Sequence, residues 1–102
     1  MTYRYTVKAV FQEEKVAAEW LDWLRNGHCA EVLKCGASAV ELTALDSEPL
    51  SFEVRYMFPD FDVFSRYESQ HAPRLREEGL IQFPVDRGIT YSRTTGSVIY
   101  SV

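Results

Sequence analysis

The sequence predicts an α+β protein: one four-stranded antiparallel sheet with two helices on the same face. Three observations support this class. Several segments alternate apolar and polar residues, which is typical of half-buried strands. Two longer segments repeat apolar residues every three or four positions, as amphipathic helices do. The order of these segments is strand, helix, strand, strand, helix, strand. The 102 residues suit one domain, which we expect to span residues 1–102.

Residues 2–11 predict the first strand, because every second residue is apolar. The residues on its buried side are Tyr3, Tyr5, Val7, Ala9 and Phe11. Gln12 and the acidic Glu13 and Glu14 suit the start of a helix, whose apolar stripe runs to about residue 25. Gly27 interrupts the stripe, so we predict a kink near residues 26–27. A short helix should follow and end near Cys35, with Gly36 as its left-handed C′ residue.

The second half repeats the pattern. Residues 37–45 and 51–58 alternate like strands, and the turn-forming residues between them predict a hairpin. Asp60 is a suitable N-cap for the second helix, which Pro73 should break before it restarts over residues 74–83. Residues 88–94 predict the last strand. Residues 95–102 are a C-terminal tail or an additional strand, and exchange of this tail between two subunits is one hypothesis for its apolar residues.

Two βαβ units with right-handed crossovers combine into the ferredoxin-like βαββαβ arrangement. Each of its two helices should be kinked, the first at Gly27 and the second at Pro73. Both helices should cover one face of the sheet and leave the other face free.

Charge and composition exclude several classes of partner. A net charge of −4 argues against nucleic acid and anionic membranes, because both favour basic surfaces. No run of about 18 apolar residues and no signal-like amino terminus is present, so we expect a cytoplasmic protein. Cys29 and Cys35 are too far apart in one straight helix to form a disulfide, so we expect free thiols. The sequence has no metal-ligand spacing and no glycine-rich phosphate loop, so we expect neither a metal nor a cofactor.

Two segments resemble a bacterial family of unknown function within the dimeric α/β-barrel superfamily of ferredoxin-like proteins. They are AEWLDWLRNGHCAEVLKCG at residues 18–36 and YESQHAPRLREEGLIQF at residues 67–83. The most specific part is HAPRLR at residues 71–76, followed by Phe83. The resemblance covers residues 3–94 and implies a homodimer formed through the sheet face away from the helices. It implies no activity, although the superfamily includes cofactor-free monooxygenases and muconolactone-isomerase-like enzymes.

The free sheet face should be unusually charged for such an interface. Its outward residues are Arg4, Thr6, Lys8, Glu41, Glu53 and Arg55. Burying unpaired charges is costly, so we expect these residues to pair across strands around a partly wet interface.

The two histidines, His28 and His71, are the candidate catalytic residues. His28 follows Trp20 and Leu24 at a spacing of four, so an α-helix would place all three on one face. His71 lies on the apolar stripe of the second helix. The two imidazoles can then share a pocket, where a buried histidine can act as a general base near neutral pH. The alternative is a structural histidine bonded to a backbone carbonyl that a helix break frees.

Aromatic and arginine side chains supply the candidate ligand-binding residues. Rings between helices and sheet can line a pocket for a hydrophobic molecule, and arginine can clamp a carboxylate or phosphate. The rings considered are Tyr3, Tyr5, Trp20, Tyr56, Phe64 and Tyr67, and the arginines are Arg74, Arg76, Arg87 and Arg93. From these sets we select Trp20, Tyr56, Tyr67, Arg76 and Arg93. The alternatives are that the rings form the core and that the arginines form solvated ion pairs.

Two classes of function remain. In the first, the protein is a small ligand-binding or dimerisation module. In the second, it is a cofactor-independent enzyme, monooxygenase- or isomerase-like, that acts on a small acid, either aromatic or not. A pocket of several hundred Å³ that holds a histidine and an arginine favours the enzyme. A filled core in which both imidazoles bond to backbone carbonyls favours the module, and the residues alone leave open whether the protein is an enzyme.

Overall fold

The structure is a computed structural model that describes residues 1–102. Its elements are β1 (Tyr3–Phe11), α1 (Glu14–Trp23), a π-turn (Leu24–His28), α2 (Cys29–Lys34), β2 (Ala39–Ala44), β3 (Ser51–Phe58), α3 (Phe61–Gln70), α4 (Ala72–Gln82), a 3₁₀ turn (Val85–Arg87) and β4 (Ile89–Ser97). The strands form one antiparallel sheet in the order β2-β3-β1-β4. The predicted ferredoxin-like fold is therefore confirmed.

One hydrophobic core lies between the sheet and the helices. It contains Tyr5, Ala9 and Phe11 of β1 together with residues from both helical segments, among them Trp20 and Tyr67. Both helical segments therefore cover the same face of the sheet, as the periodicity of their sequences predicted.

Two helix ends are formed as the sequence indicates. The Asp60 carboxylate accepts a hydrogen bond from the Val63 backbone N–H at 2.9 Å, which caps α3. After α2, the chain turns at Gly36, where φ is +127°. The N–H groups of Gly36 and Ala37 donate to carbonyls of the last helical turn, which completes a Schellman motif.

The second helix breaks two residues earlier than predicted. Helix α3 ends at Gln70 and α4 begins at Ala72, so Pro73 lies in the first turn of α4 rather than at the break. A proline is tolerated there because its missing N–H would have no partner in a first turn. His71, with φ −123° and ψ −39°, forms the junction between the two helices.

The last strand is longer than predicted. Strand β4 runs to Ser97, so residues 95–97 belong to the sheet and pair with the start of β1. The Val98 N–H continues this pairing by donating to the Thr2 carbonyl at 2.8 Å. Residues 95–97 carry no apolar side chain, so this edge segment lacks the alternation of apolar and polar residues that predicts a half-buried strand. Beyond it, Ile99 and Tyr100 are exposed.

The first helix departs from the expected phase at the π-turn. The Cys29 N–H donates to the carbonyl of Leu24, five residues earlier, so the turn is one residue wider than an α-helical turn. Trp20 and Leu24 are buried as predicted, but His28 does not continue their stripe, and Cys29 is buried in its place. The expectation that Trp20, Leu24 and His28 share one regular helical face is thus wrong, because an inserted residue shifts the phase.

The free face of the sheet carries one of the predicted cross-strand pairs. Arg55 lies opposite Glu41 in the β2–β3 register, and their side chains approach to 3.7 Å. Arg55 also lies 3.9 Å from Glu53 of its own strand, and Lys8 pairs at 2.6 Å with Glu48 of the β2–β3 loop. Ion pairs therefore involve Lys8, Glu41, Glu53 and Arg55, but not Arg4.

No helix of the protein is both long and apolar enough to cross a membrane.

Candidate functional site

A cleft opens between the helix-covered face of the sheet and the helices. Strands β1, β3 and β4 form its floor, while α1, the π-turn and α4 form its walls. Its volume is about 540 Å³, including the mouth that is open to solvent. The side chains around it are mostly apolar and aromatic. Such a lining with a few polar groups is typical of small-molecule sites.

The π-turn builds one wall of this cleft from Trp23 and His28. These two rings stack with their centroids 4.2 Å apart and their planes at 21°. Residues five apart would lie about 140° apart around a regular α-helix, so the stack depends on the wider turn. Trp23 also packs against α4 at Gly79, where a Cβ would lie only 3.2 Å from the indole. A glycine at that position lets the indole approach the helix backbone.

The His28 imidazole is uncharged at neutral pH. Burial lowers the pKa of His28 to about 4, and the nearby carboxylates of Glu78 and Glu31 oppose this shift only in part. The ring makes no hydrogen bond within the chain. Its nitrogen atoms are therefore free to accept or donate a hydrogen bond to a molecule in the cleft.

Two guanidinium groups meet at the hydroxyl of Tyr5. The Nε of Arg93 donates to this hydroxyl at 3.0 Å, and Nη2 of Arg76 donates to it at 3.4 Å. Arg76 also pairs with Glu68. Burial disfavours the charge of Arg76, but the bond to Tyr5 and the carboxylate of Glu68 outweigh this effect and raise the pKa of Arg76. The cleft thus combines an apolar lining with a fixed cationic corner.

The phenols of Tyr56 and Tyr67, which both line the cleft, stay neutral. Burial raises the pKa values of Tyr56 and Tyr67 well above the usual value for tyrosine. Burial also raises the pKa of the Cys29 thiol, which lies beside Tyr56. These groups can pack against a ligand or donate hydrogen bonds to it, but they do not supply a charged nucleophile at neutral pH.

All five candidate ligand-binding residues line the cleft. They are Trp20, Tyr56, Tyr67, Arg76 and Arg93. Of the two candidate catalytic residues, His28 lines the cleft, whereas His71 lies outside it at the α3–α4 junction. The structure therefore does not bring the two imidazoles into one pocket. The ion pairs expected of the other arginines form outside the cleft, where Arg74 meets Glu78 at 3.2 Å.

The sequence does not indicate the roles of two residues that line the cleft, Trp23 and Tyr5. A helical period of 3.6 places Trp23 away from the apolar stripe. Alternation along β1 indicates a buried Tyr5 ring, but not that the Tyr5 hydroxyl accepts hydrogen bonds from Arg76 and Arg93. One signal for this role was present: Arg93 occupies an inward position of β4, two residues after Tyr91, where alternation predicts an apolar side chain.

Nowhere in the structure do three or more His, Cys, Asp or Glu side chains come together as metal ligands.

The fold defines the class of protein, a ferredoxin-like α+β domain with a cleft between its helices and its sheet. Residues 2–95 match the family described as domain of unknown function (DUF4286), and the chain belongs to this family. No curated protein matches the chain.

Solved structures with the same fold cover nearly the whole chain. A dimeric ferredoxin-like protein from an uncultured marine organism has a TM-score of 0.73 at 12% identity and covers 99% of this chain and 98% of its own. SnoaB, a cofactor-independent oxygenase from Streptomyces nogalater, has a TM-score of 0.72 at 13% identity, with 99% and 96% covered. A second dimeric ferredoxin-like protein from an uncultured marine organism has a TM-score of 0.71 at 8% identity, with 100% and 98% covered. At these identities the likeness establishes the fold alone.

Proposed function

We propose that the protein is a homodimeric module that binds a small aromatic molecule in the cleft. The observation that carries this proposal is the coincidence of one cleft with His28, Arg76, Arg93 and the selected aromatic rings. An aromatic lining with a few polar groups at an open mouth suits the edge or face of a small ring system. A cleft that holds a histidine and arginines is also the feature expected of the enzyme, which is therefore kept below as the second candidate.

The dimeric state of this chain is part of the proposal. Its support is the fold, which is shared with proteins described as dimeric, and the free sheet face, where Arg55 pairs with Glu41 and Glu53. Compensated pairs lose less on burial than isolated charges do. Sedimentation equilibrium should give a mass twice that of the chain, and a monomer mass at all concentrations would refute the dimer.

We also place the protein in the bacterial cytoplasm. The support is that Cys29 and Cys35 are free thiols, as expected in a reducing compartment. Cell fractionation with a tagged copy tests the location.

Binding can be tested with a neutral aromatic probe, 2-naphthamide, followed by calorimetry and by tryptophan fluorescence. Both tryptophans of the chain line the cleft, so their emission should change on binding. Leu80 lines the mouth of the cleft and is 46% exposed, whereas the adjacent Ile81 is 73% exposed and does not line the cleft. Leu80→Asp should weaken binding about tenfold or more, because it removes apolar contact and places a charge beside the ring. The matched Ile81→Asp should leave the affinity unchanged.

If neither 2-naphthamide nor any related aromatic amide binds, the proposed function is wrong. Equal weakening by Leu80→Asp and Ile81→Asp would place the binding site outside the cleft.

A second candidate function is that of a cofactor-independent enzyme that acts on a small aromatic acid. The observation that favours it is His28, an uncharged imidazole at the wall of the cleft that can accept a proton. Phenylpyruvate, whose benzylic C–H is acidic, provides a test without any oxidant. The protein should accelerate exchange of this hydrogen for deuterium in D₂O, as measured by proton NMR.

The two histidines provide matched variants for this experiment. His28→Gln should abolish the acceleration, while His71→Gln should retain it because His71 lies outside the cleft. Binding without acceleration would support the ligand-binding module over the enzyme.

A further inference from the structure

Arg93 is a cation that the protein itself does not neutralise. It occupies an inward position of β4, opposite Val7 of β1, where it lines the cleft. Only its Nε is engaged, with the Tyr5 hydroxyl, and it forms no ion pair with any carboxylate. Arg93 is exposed at the mouth of the cleft, and its two Nη groups, which form the fork that binds carboxylates bidentately, have no partner within the chain.

Arg76 presents a second unsatisfied donor at the same corner. Its Nη2 contacts both Glu68 and the Tyr5 hydroxyl. Its Nε is buried and has no hydrogen-bond partner. The Arg76 guanidinium thus makes fewer hydrogen bonds within the chain than its five N–H groups allow.

The Tyr5 hydroxyl completes the arrangement. Tyr5 is only 4% exposed, and its oxygen accepts bonds from both arginines. Those two bonds occupy the lone pairs of the oxygen and leave its proton without an acceptor in the chain. Bonds from two cations also polarise the phenol and make it a stronger donor. The Tyr5 hydroxyl and the two guanidinium groups therefore lie together at one corner of the cleft.

The charge balance defines the ligand. Glu68 compensates Arg76, whereas nothing compensates Arg93, so this corner of the cleft carries one unit of unneutralised positive charge. We propose that Tyr5, Arg76 and Arg93 bind the carboxylate of a monoanionic aromatic acid, whose ring lies along the apolar wall of Trp23 and Leu80. The proposal rests on the proposed function and adds to it the charge of the ligand and the role of Tyr5.

Matched pairs of ligands separate this proposal from the proposed function. The probes are 2-naphthoate with 2-naphthamide and benzoate with benzamide, because each pair shares its ring and differs in charge. Calorimetry at constant ionic strength should show that each carboxylate binds about tenfold or more tightly than its amide, as expected for hydrogen bonds to a charged group. Equal binding of acid and amide would overturn the carboxylate site and leave the proposed function standing. Binding by neither member of any pair would overturn both.

Variants assign the preference to the three residues. Arg93→Gln should reduce the ratio of carboxylate to amide affinity about tenfold, because the carboxylate loses a charge-assisted contact and the amide loses only a neutral one. Arg66→Gln is the matched control, because it removes one charge from an exposed position on α3 outside the cleft. An equal loss in both variants would show a long-range charge effect and overturn the site.

Tyr5→Phe keeps the buried ring and removes only the hydroxyl. It should also lower the ratio, by about fivefold or more, because the ligand loses one donor and the arginines lose the oxygen that holds them in place. This second variant keeps the proposal testable if Arg93→Gln proves unstable. An unchanged ratio in Tyr5→Phe would remove Tyr5 from the site.

Discussion

The two ends of the helix-covered sheet face differ in what occupies them. At one end, which we name the filled end, Tyr3, Phe58 and Phe64 pack against one another. Ring centroids there lie 4.8 Å apart for Tyr3–Phe64 and 5.3 Å for Phe58–Phe64. At the other, the cleft end, Trp23, His28, Arg76 and Arg93 surround an open space.

Tyr5 connects the two ends, and it shows why they differ. Its ring packs against Phe64 at 5.7 Å on the filled side, while its hydroxyl meets two arginines on the cleft side. The backbone scaffold is the same sheet throughout. Charged side chains at inward positions resist dehydration, so the cleft end cannot close into a core as the filled end does. The difference therefore follows from which side chains the same fold directs inward.

The largest expected effect is at the filled end. Phe58 is fully buried, and Phe58→Ala should lower the free energy of unfolding by about 3–5 kcal/mol, because it removes a ring and leaves a cavity. Trp23→Ala at the cleft end should cost about half as much or less, since Trp23 is only partly buried. Urea unfolding monitored by circular dichroism measures both. Equal costs would mean that the cleft end is packed like a core.

Next in size is a pH effect that belongs to the cleft end. The pKa of His28 is about 4 in the folded protein, below the value of about 6.5 expected when unfolded. The unfolded state therefore binds a proton that the folded state does not as the pH falls from about 6.5 to 4. Stability is lost over that window by about 3 kcal/mol and is fully present above it.

Denaturant unfolding at several pH values measures this dependence. His28→Gln should flatten the slope between pH 6.5 and 4, while His71→Gln should preserve it because His28 is still present. A slope that His28→Gln does not alter would show that other groups cause the loss.

A pair of glycines compares the two ends directly. At Gly36, where φ is +127°, an added Cβ would lie 3.0 Å from Val63 Cγ1 and close to the Phe58 ring. Gly36→Ala should therefore lower the free energy of unfolding by about 1–2 kcal/mol. Gly79 lies in α4 against Trp23, which can shift toward the open cleft. Gly79→Ala should change stability by less than about 0.5 kcal/mol, because the gain in helix propensity offsets the contact with the indole.

Thermal and urea unfolding of the two alanine variants provide the measurement. Tryptophan emission should change in Gly79→Ala, since the indole moves, but not in Gly36→Ala. A large loss of stability in Gly79→Ala would show that Trp23 is held rigidly.

The smallest effect concerns Glu68. Glu68→Gln removes the charge that compensates Arg76 and should cost less than about 1 kcal/mol, because the pair is partly exposed. It should also tighten 2-naphthoate binding by about twofold to threefold, since the corner becomes more positive. Calorimetry checks the affinity, with 2-naphthamide as the control ligand. Weaker binding would mean that Glu68 is needed to position Arg76.

The architecture could be predicted from the sequence because it depends on local periodicity. Alternation located β1 and β3 to within a residue, and the polar residue Asp60 marked the start of α3. Strand β4 was predicted too short, because an edge strand with polar residues on both faces lacks the alternation of a half-buried strand. The ends of elements were thus harder to predict than their order.

The candidate site was less predictable, since it depends on phase and on contacts between distant segments. One extra residue in the π-turn moved His28 from the expected stripe to a stack on Trp23. Arg76 and Arg93 both contact Tyr5, from which they are separated by 71 and 88 positions in the sequence. No local pattern encodes such a contact. Only the inward position of Arg93 signalled it.

The most direct measurement is the NMR spectrum of the arginine side chains during titration with 2-naphthoate. The Nε–H signals of Arg76 and Arg93 should shift together and give the dissociation constant found by calorimetry, while the signal of Arg66 stays in place. If 2-naphthoate binds while the signals of Arg76 and Arg93 do not move, the carboxylate lies elsewhere and the account of the cleft is wrong.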